Sequence, residues 1–113
     1  AFFRRQRQMC IRDRQEIEKI LIECIEIQSK KSKDYQNKNS RIKHADYYPR
    51  GLLSIMEMIH TKTTRLWSLI EKDGEPNFES IEDNAKDLIN YASFLIAYKR
   101  GKIDGQNKDE IHK

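Results

Sequence analysis

Glu79, Asp83 and Asp87 recur every fourth residue in a stretch that contains neither glycine nor proline. On a helix turning about 100° per residue, with Asp83 at zero, Glu79 lies near −40°, Asp87 near +40° and Asn90 near −20°. Acids stacked a turn apart repel one another by roughly a few tenths of a kcal/mol. Oxygens gathered in this way suit a hard cation such as Mg²⁺, which binds through one or two carboxylates and substrate phosphates. The bland alternative is a stripe that faces water. Against it, the same face continues into Phe94, with Tyr91 and Tyr98 at its margin, and no charge returns until Lys99. The stripe is therefore expected to face a partner helix or a pocket.

A second segment offers partners. Glu57 stands three residues before His60 and four before Thr61, and Lys62 and Arg65 form an i, i+3 cationic pair able to hold phosphate oxygens. Glu57 is the added metal-ligand candidate. Lys30-Lys31-Ser32-Lys33-Asp34-Tyr35 is a basic cluster followed by an acid and an aromatic ring. There Lys33 would contact phosphate and Tyr35 would stack a base. Solvated surface charge is the competing reading of Glu57, Lys62 and Arg65, and a charged helix end that of the lysine cluster.

Three helices are expected to position these groups. Ile17, Ile20, Leu21, Cys24, Ile25 and Gln28 follow helical spacing, so residues 15–29 read as an amphipathic helix. Residues 34–48 read as a long ordered loop. Pro49 suits the first position of a second helix, whose stripe is Leu52, Ile55, Met56, Ile59, Thr63, Leu66 and Ile70 with Trp67 beside it. Asp73-Gly74-Glu75-Pro76 reads as a turn and Asn77 as an N-cap. A third helix should run from Phe78 to Lys99 or Arg100 and stop at Gly101, with Ile81, Ala85, Leu88, Ala92 and Leu95 as its core seam.

The chain has 113 residues, 37% hydrophobic and 35% charged, which allows one thin core. The fold class expected is all-α: a three-helix unit whose bundle is completed by a second subunit. Residues 101–113 read as a polar, frayed tail. The net charge of +4 is confined to residues 1–14, where five arginines meet one acid; the rest holds 17 basic and 17 acidic side chains. That segment resembles translated sequencing-adapter read-through, and a basic arm for nucleic acid is its alternative. The balanced remainder makes no strong case for DNA or RNA binding. No apolar run is long enough to cross a bilayer, and two cysteines, Cys10 and Cys24, make no disulfide framework. The expected location is the cytoplasm, of a cell or of an infected host, with Cys24 a buried thiol.

The order of three motifs carries a resemblance: Lys31-Ser32-Lys33-Asp34-Tyr35, then Lys62, Arg65 and Leu66 in a K-x-x-R-L pattern, then Glu79-Ser80-Ile81-Glu82-Asp83 through Asp87-Leu88-Ile89-Asn90-Tyr91-Ala92. Across residues 28–98 the chain resembles the nucleotide modification associated domain family, type one, of phages and bacteria, related to MazG-like all-α nucleotide pyrophosphohydrolases. The resemblance implies a MazG-like bundle, a homo-oligomer and Mg²⁺-dependent handling of nucleoside triphosphates in phage nucleotide metabolism or DNA modification. It makes Glu79, Glu82, Asp83 and Asp87 the metal ligands and sets Lys62 and Arg65 near phosphate.

As a hydrolase, the protein would split a nucleoside triphosphate into a monophosphate and pyrophosphate. Carboxylates would hold Mg²⁺ and activate water, with Asp83 and Asp87 the catalytic candidates. MazG-like enzymes pair ExxE on one helix with ExxD on the next, and here Glu57 is followed by His60 instead. The alternative function is a non-catalytic helical module that binds nucleotide or protein.

Overall fold

The computed structural model describes residues 10–35, 40–72 and 78–107, with backbone alone at Asp34, Tyr35, Phe78 and Glu79. Every regular element among them is helical: α1 (Ile11–Tyr35), a 3₁₀ turn (His44–Tyr47), α2 (Leu52–Glu71) and α3 (Phe78–Lys99). The expected turn at residues 73–76 and the Asn77 cap lie outside the described residues. The chain divides into two compact units, Ala1–Tyr35 and Gln36–Lys113.

Among the described residues of the first unit the regular element is α1. Residues 11–35 include no glycine or proline, Asp13 stands in the first turn and Lys33 in the last, as the helix macrodipole favours. α1 is longer than the expected 15–29 at both ends. It starts inside the arginine-rich segment and absorbs Asp34 and Tyr35, because nothing in either flank breaks a helix. Cys24 is buried, as expected of it, while Ile17, Leu21, Ile22 and Ile25 are exposed.

The second unit is built on a helical hairpin. Gly51 lies against Tyr98 near one end and Lys62 against Asp87 farther along, so α2 and α3 run antiparallel. Its core is Tyr48, Ile55, Tyr98 and Ile103, with Leu52, Ile59, Tyr91, Phe94 and Leu95 packed against them. α2 begins three residues later than Pro49 suggests. Gly51 has φ of +61°, which an L side chain rarely adopts, and a Cβ there would stand 3.1 Å from the Tyr98 hydroxyl. The chain turns at 49–51 and the helix starts after it, with Ser54 Oγ accepting the Arg50 amide at 2.8 Å.

The 34–48 segment is less of a loop than its composition suggests, since 44–47 close into a 3₁₀ turn. The Lys43 amide donates to Asp46 Oδ2 at 2.7 Å and caps that turn. α3 stops where expected. The Lys102 amide donates to the Ala97 carbonyl and the Gly101 amide to the Tyr98 carbonyl, a Schellman pair around Gly101 at φ +72°.

Residues 101–107 are not frayed. Ile103 is buried, the Ala45 amide donates to the Asp104 carbonyl at 2.9 Å, and Gln106 Nε2 donates to the Tyr98 carbonyl at 2.6 Å. One apolar residue in a polar segment anchors this strap. None of the described helices is long and apolar enough to cross a membrane.

Candidate functional site: the α2–α3 seam

The face that α3 turns to α2 is not the expected seam. Measured from Asp83, Asp87, Tyr91, Phe94, Tyr98 and Asn84 fall between about +20° and +100°. Asn84 and Tyr98 are buried, Tyr91 and Phe94 pack on the core, and Asp87 meets Lys62. Of the residues assigned to the core seam, Ala92 is exposed and Ile81, Ala85 and Leu88 are half-buried; Leu95 alone packs on the core. Aromatic rings bury more area than the alanines and isoleucine of that seam, and they set the rotation of the helix. A matching correction applies to α2, where Met56, Trp67 and Ile70 are exposed while Ile55 is fully buried.

This rotation divides the acidic stripe. Asp87 points across to Lys62, with Oδ2 3.0 Å from Nζ and the side chains 26% and 15% exposed respectively. Asp83 is exposed. Glu82 is exposed as well and reaches Lys86 one turn on, at 3.7 Å. Glu79 lies in α3, and its side chain is outside the described residues. Asn90 is buried and Asn84 is buried with its amide donating to the Ser80 carbonyl at 2.7 Å. Among the described side chains of α3, Asn84, Asn90 and Asp87 are thus polar groups turned inward.

The remaining candidates are dispersed. Glu57 is exposed and pairs with Arg50 at the start of α2. Arg65 and His60 are exposed. Lys33 is exposed near the end of α1, and the Tyr35 side chain is outside the described residues. The structure therefore brings together Lys62 and Asp87 and leaves Glu57, Arg65, Glu82 and Asp83 apart from them. Among the described residues no three His, Cys, Asp or Glu side chains are grouped to hold a metal ion. Mg²⁺ asks for several oxygens around one point. Among the described side chains Asp87 is an inward carboxylate of α3, and it faces the Lys62 ammonium.

Farther along the seam, Phe94 and Tyr91, placed on this face by their spacing, meet His44 and Tyr48, which spacing did not reveal. His44, from the 3₁₀ turn, sets its ring edge-on to Phe94 at 5.0 Å between centroids, and Phe94 stands edge-on to Tyr91 at 5.8 Å. His44 Nε2 and the Tyr48 hydroxyl are 3.0 Å apart. Burial pushes the His44 pKa below its ordinary value, with Asp104 partly opposing that shift. Burial, reinforced by Tyr91, pushes the Tyr48 phenol upward. The usable signal was the Tyr91, Phe94, Tyr98 spacing, which continues back through Asp87 and Asn84.

Comparison with known proteins finds no matching family model, no matching curated protein and no matching solved structure.

Proposed function

We propose that the chain is a non-catalytic helical module that works by docking to protein. The observation that carries this reading is the Lys62–Asp87 pair. Lysine expected to hold phosphate and carboxylate expected to hold a cation lie in contact, so each meets the other's need for a counter-charge. Either group would have to abandon a partly desolvated ion pair before taking a ligand. The exposed acids Asp83 and Glu82 lie to one side of that pair and add no common focus with it. Large apolar side chains, by contrast, are exposed on both units, including Leu21, Ile25, Met56 and Ile96. Apolar surface of that kind is what helical docking uses.

The Mg²⁺-dependent nucleoside triphosphate reading rests on the motif resemblance. It would require Lys62 and Asp87 to separate and further carboxylates to join them. A pyrophosphate-release assay with the common nucleoside triphosphates and Mg²⁺ tests the choice. The docking module gives no turnover with any of them. Turnover that disappears in Asp87→Asn, with helicity retained, overturns it in favour of the hydrolase.

A further inference from the structure

His44 sits where three parts of the second unit converge. From α3, Phe94 stands perpendicular to its ring at 5.0 Å, with Tyr91 on the far side of Phe94 at 5.8 Å. From the end of the 3₁₀ turn, the Tyr48 hydroxyl lies 3.0 Å from Nε2. From the strap, the Asp104 carboxylate acts on the ring electrostatically. The turn's own acid, Asp46, is engaged by the Lys43 amide.

The strap is fastened to the residues on either side of His44. The Ala45 amide donates to the Asp104 carbonyl at 2.9 Å. Gly105, at φ +83°, lies so close to Lys43 that a Cβ there would collide with the Lys43 Cβ. Residues 44–47 therefore cannot lift off α3 without carrying the strap with them.

A neutral imidazole suits this place and an imidazolium does not. Charge on the ring would lose hydration that Phe94 cannot replace. Burial accordingly holds the His44 pKa below its ordinary value, and Asp104 opposes this only in part. The Tyr48 phenol, pushed upward by burial and by Tyr91, stays protonated and offers the ring no negative charge.

We infer that protonation of His44 unlatches the 3₁₀ turn and the 101–107 strap together from the end of α3. The device is independent of the docking reading. The imidazolium regains water by swinging out with its turn, and the strap follows through Ala45 and Gly105. Release takes Ile103 out of the core and breaks the Gln106 bond to the Tyr98 carbonyl. Lys62 and Asp87, farther along the hairpin, stay paired.

Amide hydrogen exchange of the full chain, read residue by residue by NMR between about pH 5 and 7.5, is the test. After correction for intrinsic exchange, the Ala45 and Gln106 amides should open more readily than those of Ile59 and Leu95 in the paired helices. Their opening constant should climb by up to about tenfold per pH unit below about 6.5, because the open form binds one proton more. His44→Gln and the ring-retaining His44→Phe should both lose that slope, whatever their basal opening. Opening constants that stay flat with pH in the wild type overturn the inference, as does a slope that survives both substitutions. Exchange at Ala45 and Gln106 no faster than at Ile59 and Leu95 overturns it too, since the strap would then leave only on global unfolding.

Discussion

Lys62 and Asp87 bridge α2 and α3 in a setting neither dry nor fully wet, which decides what the pair is worth. Exposed ion pairs contribute about 0–1 kcal/mol, while removing one partner of a fully buried pair costs about 3–5 kcal/mol. With exposure of 15% and 26%, Lys62→Ala is expected to lie between, near 1–2 kcal/mol of destabilisation. The double variant Lys62→Met/Asp87→Leu should regain most of it, because no charge is left without its partner. Urea unfolding of the wild type, the two singles and the double closes that cycle. Additive losses would mean that the pair does not interact.

His44 gives a second expectation at this scale, in pH. Its folded pKa lies below the unfolded value of about 6.5, so the unfolded chain binds more protons in the interval between the two. Its contribution is complete above 6.5 and is lost as pH falls through that value toward the folded pKa. His44→Gln should flatten this part of the stability–pH curve measured by chemical unfolding. An unchanged slope would place the pH dependence elsewhere.

For the elements, the contrast between Ile55 and Trp67 is the sharpest. Both belong to the apolar pattern of α2, yet Ile55 is fully buried and Trp67 is 62% exposed. Ile55→Ala should cost about 2–5 kcal/mol, as truncations in a packed core do. Trp67→Ser should stay within about 0.5 kcal/mol in the isolated chain. Thermal unfolding of both variants checks the ordering, and equal losses would contradict the rotation of α2 described here.

The same contrast shows what periodicity conveys and what it withholds. All three long helices were legible, as were the stop at Gly101 and the buried Cys24, because they depend on local pattern and on glycine's freedom at positive φ. Rotation was not. Both α2 and α3 carry apolar residues around more than half their circumference, and which arc is buried depends on a partner's shape. On α3 the aromatics outweighed the aliphatic seam, and that turned Asn84 and Asp87 inward and left Asp83 in solvent. The strap at 101–107 was hidden for a related reason: one isoleucine and a few hydrogen bonds leave little trace in composition.

Taken whole, the second unit is a two-helix hairpin closed at one end by the 3₁₀ turn and the C-terminal strap. Its core is small, and the aromatic end holds most of it: Tyr48 and Tyr98 are buried there beside Ile55 and Ile103. The polar half of the seam carries the Lys62–Asp87 ion pair, with Asn84 and Asn90 buried on α3. Large apolar side chains such as Leu21 and Ile25 of α1 and Met56 and Ile96 of the hairpin stand exposed.

We propose that the Asp87 carboxylate of α3 serves the Lys62 ammonium and not Mg²⁺. A ligand that binds only the folded chain raises its melting temperature in a concentration-dependent way. Thermal unfolding of the full chain should therefore be followed through a millimolar Mg²⁺ series, beside Asp87→Asn. The account predicts no shift that depends on Asp87. A progressive rise in Tm with Mg²⁺, abolished by Asp87→Asn, would contradict it.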